Sequence, residues 1–337
     1  MRSNTAQEHG RTDHGTLSLA AARHNTGVPF PHCQDVERGD LTPLHHGVLA
    51  WYREHARDLP WRRPDASAWA VLVSEVMLQQ TPVVRVEPAW RAWMERWPTP
   101  AALAAAEPAE VLRAWDRLGY PRRALRLREC AATIAARHGG VVPEDEAELL
   151  ALPGVGEYTA AAVRAFAYRR RAVVLDTNVR RVLGRVADGV ALPPPSLGRA
   201  ERERAAALVP EDAETSARWN VAVMELGALV CTARSPRCPE CPVQGRCAWL
   251  AAGHPEDAHA GRRRTQGWHG TDRQARGRIM AALRDTEGAL TQEELLTAAA
   301  GGAAPEALDD PARPARALTS LVTDGLAVEV EGGYRLP

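Results

Sequence analysis

The residues of this chain best suited to do chemistry lie in a few short stretches. Cys231, Cys238, Cys241 and Cys247 are spaced C-x6-C-x2-C-x5-C. Thiols that close together indicate a metal centre rather than disulfides, and four thiolates suit either tetrahedral zinc or a [4Fe–4S] cluster. Cys33 and Cys130 lie outside the pattern and read as a tail thiol and a buried core thiol. In Leu152-Pro153-Gly154-Val155-Gly156 the glycines let backbone approach closely, and a helix is expected from about Glu157. The unpaired N–H groups at such a helix start can hold a phosphate. Asp176 ends the apolar run Val173-Val174-Leu175 and precedes a helix, the place of an N-cap. Glu75, within Ser74-Glu75-Val76-Met77-Leu78-Gln79-Gln80-Thr81, sits on an amphipathic helix, where an acid is ordinarily solvated.

One kind of chemistry is nearly excluded. All 42 basic side chains counted as Lys plus Arg are arginine. A Schiff base needs an amine that can lose its proton, and arginine cannot, so the N-terminal amine would be the sole candidate. The formal net charge is zero, but the charges are segregated. Arg164–Arg185 holds seven arginines and one acid, Asp176; Arg113–Arg128 holds six and one acid, Asp116. Such stripes can hold phosphate, although each one alone equally suits a solvated helix face.

The elements that must position these residues are mainly helical. A helical pattern starts near Thr42, and from Ala68 to about Gly189 helix-length patterns are separated by Pro and Gly. Further helices are expected up to about Val209 and over Ala217–Val230. Residues 1–41 are polar and without periodicity and are expected to be disordered, with no apolar segment suited to a signal peptide or membrane span. A cytoplasmic protein is therefore expected; that it is a bacterial, nucleoid-associated monomer is what the family resemblance below implies. Residues 251–271 read as a linker. Helices over Asp272–Leu283, Gln292–Ala298 and Pro314–Asp324, then strand, Gly332-Gly333 and strand, resemble a winged-helix module at 272–337.

The cysteine spacing, the Met224-Glu225-Leu226-Gly227-Ala228-Leu229-Val230 segment before it, the Leu152–Gly156 hairpin and Asp176 some 20 residues beyond it resemble the endonuclease III superfamily of helix-hairpin-helix DNA glycosylases. The likeness covers most of residues 45–250, and Ser74–Thr81 is similar to the signature of the adenine glycosylase (MutY) branch. The resemblance implies a mainly α catalytic domain at 42–250. A six-helix barrel module would lie at about 63–168, and residues 42–62 and 169–250 would form the iron–sulfur module. It implies a non-redox [4Fe–4S] cluster on Cys231, Cys238, Cys241 and Cys247, fixing a loop whose Arg234 and Arg237 meet DNA phosphate. Glu75 would enter the base pocket, with Leu78 packing on the base and Trp61 and Arg62 lining the pocket. Gln80 would fill the gap in the duplex, and Tyr120 would probe the opposite base. Leu152, Pro153, Gly154, Val155 and Gly156 would bind backbone.

The implied reaction is hydrolysis of the N-glycosidic bond of adenine paired with 8-oxoguanine or guanine in double-stranded DNA. A buried Glu75 would protonate N7, and Asp176, kept ionised by the helix N-terminus, would stabilise the sugar cation. Tyr158 and Asn178 would orient them. Tyr158 stands where bifunctional relatives have a lysine, which implies a monofunctional enzyme. The chain departs from the branch at Pro121, where a second aromatic is usual, and at Val221, where Gln or Glu is expected. It also departs after Cys247, where 90 residues are too few for a Nudix-like domain. Two alternatives stand beside this reading: a glycosylase for oxidised or mismatched pyrimidines, and a non-catalytic iron–sulfur DNA-binding protein.

Overall fold

The computed structural model describes residues 42–263, 267–302 and 308–337; the expectation for residues 1–41 lies outside them. The chain enters through α1 (Thr42–His55) and then builds an apolar bundle from seven helices. These are α2 (Ala68–Leu78), α3 (Val83–Arg96), α4 (Pro100–Ala104), α5 (Pro108–Trp115), α6 (Arg122–Arg137), α7 (Glu146–Leu150) and α8 (Glu157–Phe166). Nine of the eleven α2 residues are buried, so α2 is the central helix and is apolar nearly all round. Ser67 caps it by accepting from Ala70 N–H, while Pro100 and Pro108 open α4 and α5, where a missing N–H costs nothing. Four buried tryptophans lock the bundle: Trp69, Trp90, Trp93 and Trp115 donate to the carbonyls of Trp97, Ala70, Ala114 and Gly119 at 2.9–3.1 Å.

A second apolar core combines α1 with α9 (Thr177–Ala187), α10 (Arg199–Leu208) and α11 (Ala213–Leu229), and α12 (Ala248–Ala251) lies against α9. Val48 and Trp51 of α1 pack here with Val182, Trp219 and Leu226, so the start of the described chain closes on its middle. Helix α11 begins four residues earlier than the pattern Ala217–Val230 suggests, because Asp212 accepts from Thr215 N–H and starts the helix at Ala213.

The last module contains α13 (Asp272–Asp285), α14 (Gln292–Ala300), α15 (Arg313–Thr323) and an antiparallel hairpin, β1 (Val328–Val330) with β2 (Gly333–Arg335). Leu290 bridges to Tyr334, adding a third edge. A side chain at 333 would meet the Leu290 carbonyl oxygen at 2.1 Å, so glycine is required there. Ile279, Leu283 and Leu321 belong to the same apolar cluster as the first bundle, so this module docks on it. The stretch expected to be a linker is also tied down: Arg263 donates to the Pro193 carbonyl at 2.7 Å and pairs with Asp257. Among the described residues, no helix is long and apolar enough to cross a membrane.

Candidate active site

The two carboxylates expected to do chemistry come from different modules and meet at their junction. Glu75 lies on central helix α2 and is 4% exposed. Tyr158, on the first turn of α8, donates its hydroxyl to Glu75 Oε2 at 2.7 Å. Asp176 caps α9, accepting from Val179 N–H at 2.6 Å, and Asn178 Nδ2 donates to its other oxygen at 2.7 Å. Burial, aided by the Asp176 charge, pushes the Glu75 carboxyl up to about 7, against the Tyr158 hydroxyl and the Arg62 charge, which oppose the rise.

Two opposing effects act on Asp176. Burial raises its carboxyl above the ordinary value, and the N–H and amide hydrogen bonds of the cap only oppose that rise. The helix start thus limits the desolvation cost and does not cancel it. Arg62 lies beside the pair, with Nη2 on Glu225 Oε2 at 2.9 Å and a buried Nη1 that has no partner. Trp61 is 5% exposed and packs edge-on against Trp90, inside the bundle core.

The residues expected to enter the duplex form a neighbouring surface. Gln80 and Tyr120 line one cleft of about 370 Å3 with Pro153, Gly154 and Val155. Both hold left-handed backbone, φ 55° and 48°, unusual for residues with a side chain. Leu78 packs half-buried on the bundle core. In the hairpin Leu152 and Val155 are buried, and Gly154 has φ 79°, with Arg126 Cβ 3.1 Å from where a Cβ would stand. Gly156 starts α8 without a side-chain cap, which leaves first-turn N–H groups for a ligand.

The four cysteine thiols line one cavity with Val182, Val186, Leu226, Val230 and Trp249. Among the described residues, no three His, Cys, Asp or Glu side chains converge as ligands of a single ion would. Four thiols around one apolar cavity are the donor set that an iron–sulfur cluster takes. Arg185 donates to Cys231 Sγ at 3.3 Å and lies 4.3 Å over the Trp249 ring, a buried cation with no carboxylate partner among the described residues, which matches the negative charge of ligated thiolates. Arg237 pairs with Glu240 and donates to the Leu229 carbonyl, so it is less free for phosphate than expected. Arg234 is exposed, with no ion pair or hydrogen bond among the described residues.

Residues 73–204 match the HhH-GPD superfamily of base excision DNA repair proteins, and residues 231–247, from first ligand cysteine to last, match the iron–sulfur binding domain of endonuclease III. The adenine DNA glycosylase of Mycolicibacterium smegmatis is 53% identical over 286 residues, 85% of this chain and 93% of that protein. That of Mycobacterium tuberculosis is 51% identical over 86% of this chain and 92% of its own length. The chain belongs to the adenine DNA glycosylase family. It is thus a base-excision-repair glycosylase, a hydrolase, with an iron–sulfur cluster. A thermostable thymine-DNA glycosylase structure is also similar, with a TM-score of 0.58 and 25% identity over 65% of this chain and 98% of that one. The 286 residues matched to the M. smegmatis protein outnumber the 250 that precede the expected linker, so the likeness extends into the C-terminal segment.

Several residues that shape the glycosylase site are invisible to motif reading. Glu225 is 0% exposed and binds Arg57 bidentately at 2.7 Å as well as Arg62. Burial alone would raise it, but these arginines pull it down to about 2. Arg123 donates to the carbonyls of Val76, Gln79 and Gly119 at 2.6–3.0 Å, tying the Gln80 and Tyr120 loops to one guanidinium. Arg181 joins Asn178 Oδ1 (2.8 Å) to the carbonyls of Gly227 and Cys231 (both 2.7 Å). A Cβ at Gly227 would meet Asn178 Cβ at 2.7 Å, so glycine is what lets α11 touch α9 there. The one available signal was Met224–Val230, which marks the segment but no partner.

Proposed function

We propose that this glycosylase hydrolyses the N-glycosidic bond of adenine paired with 8-oxoguanine or guanine, and that it does so without lyase chemistry. The observation that carries the reading is the buried Glu75 carboxyl, raised to about 7 and hydrogen-bonded to a neutral phenol. A carboxyl near neutrality can be protonated and still give its proton to a basic ring nitrogen, and adenine N7 is such an atom. Gln80 and Tyr120 enter the stack and the adenine leaves it. Glu75 donates to N7, the C1′–N9 bond breaks with its electrons going to the base, and Asp176 stabilises the cationic sugar until water adds. The unpartnered Arg62 Nη1 is a free donor for the flipped base. Asn178 and Tyr158 orient the two carboxyls. Cys231, Cys238, Cys241 and Cys247 would hold the [4Fe–4S] cluster, which braces the Thr232–Arg237 loop against phosphate. Arg234 is the freer cation of that loop.

A second reading, removal of thymine from mispairs, is favoured by the similarity to the thymine-DNA glycosylase structure. Single-turnover cleavage of duplexes carrying A opposite 8-oxoguanine, A opposite G, T opposite G, or thymine glycol separates the two. Strand breaks only after hot alkali and only on adenine duplexes are expected. Breaks on the pyrimidine duplexes, or without alkali, would overturn the assignment of Glu75 or Tyr158.

A further inference from the structure

Gln80, Tyr120 and Arg122 line a second cavity of about 920 Å3, and its far wall is α13 of the C-terminal module. None of the hairpin residues Pro153, Gly154 and Val155 line it, so the two cavities flank the pair of residues expected to enter DNA. Seven arginines face this second cavity against two acids, Asp116 and Asp324. Asp324 is already paired with Arg122 and Arg276, at 3.2 and 2.6 Å. Arg273 is exposed and has no ion pair or hydrogen bond among the described residues. Its guanidinium carbon lies 4.8 Å from the Tyr120 ring centre and 5.4 Å from that of Trp268, which is 48% exposed. A guanidinium held between two rings loses little freedom on binding and presents its N–H groups to a phosphate.

The module is fixed against the bundle by their shared apolar core and by Arg113, which donates to the Thr286 carbonyl at 3.1 Å, so the groove exists before any ligand arrives. The helix that would read a major groove in a free helix-turn-helix unit is not available in the same way. On α15, Arg316 is paired with Asp272 and Asp310 at 2.9 and 2.7 Å, and Arg313 lies within 4.0 Å of both acids.

We propose that this groove holds the sugar-phosphate backbone of the strand opposite the excised adenine, with Arg273 as its main anchoring cation. The proposal rests on the reading that Gln80 and Tyr120 enter the duplex. Two strands then leave the wedge on opposite sides: the adenine strand toward the hairpin, its partner toward α13. The C-terminal module thereby completes the duplex-binding surface through its first helix.

The test is phosphate-ethylation interference on each strand, with the full-length holoenzyme and a duplex whose adenine carries a non-hydrolysable 2′-fluoro sugar. Wild type should show interference on both strands beside the mispair. Arg273→Ala should lose it on the complementary strand alone, weaken binding by roughly tenfold, and lower the slope of log affinity against log salt by about one. Trp268→Ala should give the same strand pattern more weakly, and an unchanged thermal melt would show that each variant folds. Complementary-strand interference and salt slope unchanged in Arg273→Ala overturn the proposal, as does a loss confined to the adenine strand. Gln80→Ala separates the two readings. If it leaves the fluorescence rise of a 2-aminopurine placed in the mispair intact, duplex entry by Gln80 fails, whatever the Arg273 footprint shows.

Discussion

Glu75 on α2 and Glu225 on α11 are both buried, at 4% and 0% exposure, yet one is pushed up to about 7 and the other held near 2. Desolvation acts on both in the same direction. The difference is in their partners. Glu225 accepts four hydrogen bonds from Arg57 and Arg62, whereas Glu75 accepts one from a neutral hydroxyl and faces the charge of Asp176. Burial sets the cost of a charge, and the neighbours decide whether the group keeps it. The same fold therefore raises one buried carboxyl toward neutrality and holds another well below its ordinary value. Arg62 touches both: Nη2 bonds Glu225, and its charge opposes the rise at Glu75.

The strongest way to break this comparison is Glu75→Gln. Single-turnover excision should fall by at least about 100-fold, since the acid is gone while the shape remains. Stability should move the other way. The folded value of Glu75 lies above its ordinary 4.5, so its contribution is present below that pH and lost as pH rises through about 7. At pH 9 the variant should exceed wild type by about 3 kcal/mol in denaturant unfolding, with no such gain at pH 4. Wild-type excision in Glu75→Gln would remove it from the reaction.

Next in size is Glu225→Gln, which leaves two arginines without their anion. A loss of about 3 kcal/mol is expected, read as a lower unfolding midpoint. In wild type the sign is opposite to that of Glu75: a depressed carboxylate stabilises above its ordinary value, and the stability is lost as pH falls from 4.5 toward about 2. A variant as stable as wild type would mean that the pair is dispensable.

Arg62→Met sharpens the contrast, because Glu225 keeps Arg57 and loses only one donor. The expected stability cost is about 1 kcal/mol. The pH midpoint of excision should rise above that of wild type, since the charge that opposes the rise at Glu75 is removed. A midpoint that falls would show that Arg62 does not act on Glu75. The smallest effect belongs to Tyr158→Phe. It removes a bond that favours the charged carboxylate, so the midpoint should again rise, with a rate loss of about tenfold or less.

Much of this molecule is readable along the chain. The start of α8 at Glu157, the capping role of Asp176, the terminal hairpin and the cysteine segment all depend on contacts within a few residues, and each lies where the local pattern puts it. The partners of Glu225 and Arg123 were not readable. Arg57 is 168 positions from Glu225, and Arg123 is 47 from Val76, so no local pattern contains either pair. The contacts of the expected linker were hidden for a related reason: its composition is that of a loose segment, but Arg263 finds a carbonyl 70 positions away.

By itself, then, the sequence determined the family, the helix-rich architecture, the ligand set for a cluster and, through the absence of lysine, which amines could act as nucleophiles. Only the tertiary structure decided which buried glutamate has its carboxyl raised and which lowered, that burial outweighs the cap at Asp176, and that α13 faces the Tyr120 loop. The first group follows from residue type and short-range spacing, which the chain carries with it wherever it goes. The second depends on desolvation and on charges from distant segments, and those exist only once the modules have closed on one another.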